Sequence, residues 1–217
     1  ARGDYDTARR YLEESLAIRR AIGDRAGEGA TLNNLSQIYK ARGDYDTARR
    51  YLEESLAIQR AIGDRAGEGA TLNNLSQIYK ARGDYDTARR YLEESLAIRR
   101  AIGDRAGEGA TLNNLSQIYK ARGDYDTARR YLEESLAIRR AIGDRAGSCA
   151  TLFNIGHIFL ENNDENQAIA CWLGVYRIAK EIGNAQALAA LENLAKSLGG
   201  SGLEDWERLS QQMESGE

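Results

Sequence analysis

The feature that most constrains this sequence is an internal repeat with a period of 40 residues. Residues 1–120 are three copies of one unit, which differ at a single position where the middle copy has Gln59 in place of arginine. A fourth copy starts at residue 121 and keeps the pattern as far as Gly147. Repetition of this kind is typical of arrays in which each unit buries its apolar face against its neighbours. We therefore expect a linear array.

Each period contains the patterns of two amphipathic helices. In AGEGATLNNLSQIYKAR, the apolar residues Leu32, Leu35, Ile38 and Tyr39 fall on one helical stripe. In TARRYLEESLAIQRAIG, apolar residues occupy one arc and arginines and glutamates the opposite one. Each helix pattern is followed by glycine and then aspartate, which predicts a left-handed helix end and an N-cap. The connections are only a few residues long, which favours antiparallel neighbours.

The segment LNNLSQIYKARGDYDTARRYLEESL resembles the tetratricopeptide signature. The family's packing positions are filled by Leu32, Leu35, Tyr39, Ala48, Leu52 and Ser55. The resemblance implies an all-α fold, a right-handed α-α superhelix that is a solenoid of antiparallel helix pairs. The chain departs from the family at Ser36, where a glycine or alanine is usual, and in lacking the terminal proline. Its longer period resembles arrays of spindle-orientation adaptors that modulate G proteins and, more distantly, of kinesin light chain.

We expect two parts in the chain. Residues 1–198 form the repeat array, which begins half a repeat in and diverges from about residue 148. Residues 199–217 form a glycine-rich hinge and a short capping helix. The pattern of the last second helix is apolar nearly all round, so another element must cover it. The segment LEDWERLSQQM, with Trp206 on its apolar face, is predicted to fold back as that cover, burying Trp206 and Trp172.

Nothing in the sequence indicates catalysis. His157 is the only histidine, and its spacing from Cys149 and Cys171 matches no zinc pattern. We interpret both cysteines as core residues. No nucleophile elbow, phosphate loop or dinucleotide fingerprint occurs. We therefore predict no enzyme activity, no catalytic residue, no metal and no cofactor.

Charge and hydropathy exclude further classes of partner. The formal net charge is −3, and the repeated arginines have glutamates one turn away, so we expect no nucleic-acid binding. No apolar run is long enough to cross a bilayer, and no signal segment is visible, so we expect no membrane contact and a cytoplasmic location. Gln59 stands where the other copies have Arg19, Arg99 and Arg139. These arginines lie within the apolar arc of the second helix, and we expect their polar ends to meet the last backbone carbonyls of that helix.

The first helices carry a face of neutral amides, which is the candidate binding site. We predict that it lines a concave groove in which a protein-interaction scaffold binds an extended peptide or partner segment. The resemblance implies that role for the asparagine ladder Asn34, Asn74, Asn114 and Asn154, while a merely solvated face stays an alternative. At the divergent end, Phe153, His157 and Leu160 are expected to form an apolar pocket. The remaining predicted contact residues are Asn33, Gln37, Lys40, Asn73, Gln77, Lys80, Asn113, Gln117 and Lys120, whose lysines favour an acidic partner.

A second hypothesis is a structural element that self-assembles, as a dimer or an end-to-end stack, of engineered or recently duplicated origin. Its basis is the open N-terminal helix of residues 4–22, where no first helix precedes the second. An uncovered apolar face there predicts a homo-oligomer. The residues expected on that face are Tyr5, Ala8, Leu12, Leu16 and Ile22.

Overall fold

The computed structural model describes residues 2–215, and the regular secondary structure in that range is helical. The helices are α1 (Arg2–Ile22), α2 (Arg25–Ala41), α3 (Tyr45–Ile62), α4 (Arg65–Ala81), α5 (Tyr85–Ala101), α6 (Arg105–Ala121), α7 (Tyr125–Ala141), α8 (Arg145–Glu161), α9 (Glu165–Ile182), α10 (Ala185–Ser197) and α11 (Leu203–Ser215). The expected all-α class and the two helices per period are confirmed. None of the described helices is long and apolar enough to span a lipid bilayer.

The sharp connections between helices come from the glycine and aspartate pairs. Gly63 ends α3 with φ of 72°, a left-handed conformation in which an L side chain is strained. The carboxylate of Asp64 then accepts a hydrogen bond from the Gly67 backbone N–H at 2.9 Å, as an N-cap does. The same pattern recurs where Asp44 accepts from the Thr47 N–H at 3.0 Å. These caps confirm the predicted helix boundaries.

The chain divides into two compact units, residues 1–107 and residues 108–217. In the first unit, the predicted stripe leucines form the core, and Leu32, Leu35 and Leu52 have no exposed surface. The Ser55 hydroxyl donates to the Gly29 carbonyl oxygen at 2.8 Å in a buried position, and this bond joins α3 to α2.

The core of residues 108–217 is built differently. Trp172 is 1% exposed and Trp206 is 3% exposed, with ring centroids 6.1 Å apart in an edge-to-face arrangement. The Trp206 indole N–H donates to the Leu191 carbonyl oxygen at 2.9 Å, which joins α11 to α10. The tail therefore packs as its apolar face predicts, except that Met213 is 59% exposed. The division into an array of residues 1–198 and a terminal cap of residues 199–217 stays a proposal.

The prediction for the arginines at the ends of the second helices was wrong. Arg19 donates from Nη1 to the Asp24 carboxylate at 3.0 Å, and Arg139 donates to Asp144 at 2.5 Å. A carboxylate outcompetes backbone carbonyls for a guanidinium, because both partners are charged. Each arginine therefore braces the N-cap residue of the next helix.

The expected face of α1 was also partly wrong. Leu16 is 7% exposed, and Leu12 packs against the same cluster as Leu32 and Leu35, since α1 uses the stripe that every second helix buries. The apolar residues of α1 that are most exposed are Tyr11, Ile18 and Ile22. A Leu12 substitution would therefore disturb packing within the chain rather than report on self-association.

Candidate functional site

In residues 1–107, the predicted amide face lies on α2 and α4, two first helices that contact each other. The Asn74 side-chain N–H donates to the Asn33 side-chain oxygen at 2.8 Å. Both amides are half-buried. The spacing of 41 residues between them means that the second asparagine of one copy bonds to the first asparagine of the copy before it. The asparagines are thus held in fixed orientations.

The same contact recurs in residues 108–217. Asn154 donates from its side-chain N–H to the Asn113 side-chain oxygen at 2.9 Å, with both amides half-buried. Asn154 survives although the sequence around it has diverged. An asparagine pair has four N–H donors and two oxygens, of which this bond uses one donor and one lone pair. The pair can therefore present both donors and acceptors to a ligand.

Lysines lie one to two turns from these amides. Lys40 donates from Nζ to the Gln77 side-chain oxygen, which joins consecutive copies. Burial lowers the pKa of Lys40, and burial together with the charge of Lys40 lowers the pKa of Lys80. In residues 108–217, Lys120 lies 3.5 Å from the Glu161 carboxylate. The amide face is thus neutral at its centre and has basic groups beside it.

A cavity of about 420 Å³ opens on the amide face of residues 108–217. None of the residues described as lining it is charged, and amides alternate with small apolar groups and one aromatic ring. Asn113, Gln117, Phe153 and Asn154 are the predicted site residues that reach it. It is also lined by Ala146, Cys149, Ala150, Val175, Asn184, Gln186, Ala187 and Ala190.

His157 and Leu160 do not line this cavity. The His157 ring packs edge-to-face against Phe153 and Trp172, with centroid distances of 4.8 and 5.4 Å. Burial lowers the pKa of His157, and the Lys120 charge lowers it further, which Glu161 partly opposes. Leu160 packs against the core cluster that contains Trp172. Phe153 is therefore the apolar residue of the expected trio that the structure brings to the cavity.

The contribution of α10 to the lining of the cavity was not predicted from the sequence. Asn184 stands 40 residues after the N-cap Asp144, and its side-chain oxygen accepts from the Ala187 N–H at 3.0 Å. The helix that follows is thus a fifth first helix in register with the array. A shift of one period along the sequence would have revealed it, although few of its other residues match.

Cys149 was interpreted as a core residue, and it is 2% exposed while still lining the cavity floor. Its Sγ lies 3.9 Å from the Val175 carbonyl oxygen, and burial raises the pKa of its thiol. Within residues 2–215, no group of three or more histidine, cysteine, aspartate or glutamate residues is placed to hold a metal ion. The chemistry of the cavity is therefore that of amide, methyl and aromatic contacts.

Comparison with known proteins agrees with the geometry. The family model described as tetratricopeptide repeat matches residues 1–61 and 67–141, well over half of the chain. Tetratricopeptide repeat proteins are generally scaffolds, and their repeat arrays provide surfaces for protein interaction. No curated protein sequence matches the chain.

Solved structures share the fold. BtubC (BKLC) from P. vanneervenii is 25% identical with a TM-score of 0.73, covering 84% of this chain and 76% of that one. A putative kinesin light chain from Podosopora anserina with nearly identical repeats is 23% identical with a TM-score of 0.64, covering 85% and 91%. A Rap protein complexed with competence and sporulation factor is 14% identical with a TM-score of 0.79. That match covers 88% of this chain, which spans 54% of the Rap protein.

Proposed function

Because the chain belongs to the tetratricopeptide repeat family, we propose that it is a protein-interaction scaffold whose amide face binds an extended peptide segment of a partner. The observation that carries this proposal is the hydrogen bond between asparagines of consecutive copies, seen as Asn74 to Asn33 and as Asn154 to Asn113. It fixes the amides before a ligand arrives, so less side-chain freedom is lost on binding. A merely solvated face would have no need of such order.

The chemistry of the ligand follows from the donors and acceptors. An extended peptide presents N–H and C=O groups at regular intervals, and amide side chains can bond to both. Each such bond contributes about 1 kcal/mol, so affinity comes from several of them together. The Rap protein whose structure holds competence and sporulation factor supports partner binding as a use of this fold.

The cavity supplies selectivity at the divergent end. Since its lining is uncharged, it favours an apolar or amide side chain of the peptide over a charged one. Phe153 stands where each regular copy has asparagine, as at Asn33. The ring therefore makes this copy differ from the others, and we propose that it contacts the side chain that anchors the peptide. The basic groups near the amide face favour acidic residues elsewhere in the segment.

The test begins with a random peptide library displayed on phage and selected on the full chain. Affinities of the selected peptides are then measured for the wild type, for Asn74→Ala with Asn154→Ala, and for Phe153→Asn, which restores the residue of the regular copies. Asn166→Ala, an exposed amide on α9, is the matched control. We expect the double asparagine change to weaken binding about tenfold or more and the control to have no effect.

The Phe153→Asn variant separates the two parts of the proposal. It should weaken only peptides whose anchor is apolar, and it should leave the asparagine contribution intact. If the selected peptides bind the double asparagine variant within twofold of the wild type while its melting temperature holds, the proposed use of the amide face is wrong.

A further inference from the structure

A second recognition feature concerns a charged cluster at the ends of α1 and α3. In the first copy, Arg20 donates from Nε to one oxygen of Glu28 at 2.9 Å, and Arg25 donates to the other oxygen at 2.5 Å. The Glu28 side chain is only 5% exposed. A buried carboxylate is thus held between two guanidinium groups, which is a strong arrangement because both partners are charged.

The same arginine has a second carboxylate partner in the following copy. Arg20 donates from Nη2 to Glu54 at 2.5 Å. One period later, Arg60 donates to Glu68 at 2.8 Å and to Glu94 at 2.5 Å. Each of these arginines is therefore placed between two acids, one on the next first helix and one on the next second helix.

Both acids are missing around Arg140, the equivalent residue of α7. Ser148 stands where Glu28 and Glu68 stand, and Gly174 stands where Glu54 and Glu94 stand. The Ser148 hydroxyl donates to the Asp144 carbonyl oxygen of its own turn at 2.8 Å. Arg140 is exposed, and its guanidinium makes no hydrogen bond or ion pair with the part of the chain that the structure describes.

The nearby Arg145 has a new acid partner, whereas Arg140 has none in the part of the chain that the structure describes. Arg145, the equivalent of Arg25, pairs with Glu181 of α9, at a position that is alanine in the regular copies. The space beside Gly174 is open, since a Cβ added there would meet only the Leu152 Cδ1 atom, at 3.7 Å. The position of the carboxylate lost at Gly174 is therefore accessible to a group from outside, whereas Ser148 is buried.

We propose that Arg140 docks an aspartate or glutamate side chain of a partner protein in the place of the carboxylate that is missing at Gly174. In the preceding copies the equivalent arginines, Arg20 and Arg60, pair with a carboxylate at this position, so a carboxylate fits the place beside Arg140. A nucleic acid is a poor occupant, because its binding needs several basic groups that each contact a phosphate, and this site offers one arginine without an acid partner among the described residues. Arg140 does not line the cavity, so this site is independent of the proposed peptide groove.

The test uses the full chain and a capped hexaglutamate peptide, with capped hexaglutamine as the uncharged control. The arginine Nε–Hε signals are followed by NMR at low salt as peptide is added. Arg130, an exposed arginine on the same helix, is the internal reference. A variant with Ser148→Glu and Gly174→Glu restores the acids of the regular copies and should close the site from within.

We expect hexaglutamate to move the Arg140 signal at least about threefold more than the Arg130 signal, and hexaglutamine to move neither. The restored variant should show no selective response at Arg140. A response at Arg140 no larger than at Arg130, or an equal response in the restored variant, would overturn the proposal. Either result would leave the amide-face proposal untouched, because that proposal is measured on different residues.

Discussion

The regular copies and the divergent end use the same backbone pattern with two kinds of contact. In residues 1–107, copies are joined by polar bonds in addition to the leucine core, and examples are Ser55 to the Gly29 carbonyl and Arg60 to Glu94. In residues 108–217, the last copies are joined through Trp172 and Trp206. The internal ion pair of Arg49 with Glu53 gives way to the apolar pair Ile169 and Leu173.

The difference shows what the terminal copy of a repeat array requires. A regular copy meets another copy, so it can place acids and bases in register on both sides. The last second helix meets α11 instead, and it buries an apolar face against that helix. Even the bond between Ser55 and the Gly29 carbonyl is reversed in the last copy. Cys149 stands at the glycine position and Val175 at the serine position, so the donor is now on the first helix and the Cys149 sulfur approaches the Val175 carbonyl oxygen.

The largest expected effect is at Trp172. It occupies the position of Leu52 in a regular copy, so Trp172→Ala and Leu52→Ala form a matched pair. We expect Trp172→Ala to cost about 3–5 kcal/mol, because it empties the centre of the aromatic cluster. Hydrogen exchange should show lost protection in α9–α11, with α2–α5 retained. Equal loss in α2–α5 would contradict the contrast between the two regions.

Much of this fold is predictable from the sequence, since the repeat fixes the period and the glycine and aspartate pairs fix the helix ends. The orientation of the arginines was not predictable, because a carboxylate five residues away competes with backbone carbonyls, and only the folded turn brings it close. The α10 wall was missed for a related reason, since its packing residues differ from those of the array while its register is kept.

A second prediction concerns acid. Hydrogen bonding from Arg20 lowers the pKa of the buried Glu28 carboxyl, so its stabilising contribution is present above the ordinary glutamate range and is lost as pH falls through the lowered value. Glu28→Gln should cost about 1–3 kcal/mol at pH 7 and progressively less in acid. Urea unfolding at several pH values measures this. Glu14→Gln, at an exposed site, is the control and should change little.

The smallest effect is expected at the helix end before α9. Asn163 has φ of 59°, where the regular copies have glycine, as at Gly83 with φ of 79°. Because an L side chain is strained there, Asn163→Gly should stabilise the chain by a few tenths to about 1 kcal/mol. Gly83→Asn should destabilise it by a similar amount. Melting temperatures that move together in the same direction would show that the two ends are not equivalent.

The face of neutral amides on the first helices could be predicted from the sequence, because asparagine is a mediocre helix former and yet recurs on one stripe of each copy. The hydrogen bonds between asparagines of consecutive copies could not be predicted, because the two residues are 41 positions apart and no local sequence pattern marks such a pair. The cavity likewise depends on Phe153 and Asn184 lining the same space, and no local sequence pattern shows that they do.

The most direct test of the account follows the asparagine side chains themselves. The side-chain N–H signals of an isotope-labelled chain are recorded by NMR while a phage-selected peptide is added. We expect the largest shifts at Asn33, Asn74, Asn113 and Asn154, with the Asn166 signal unmoved. Tight binding that leaves these four signals in place, while signals elsewhere shift, would contradict the claim that the amide face is the binding surface.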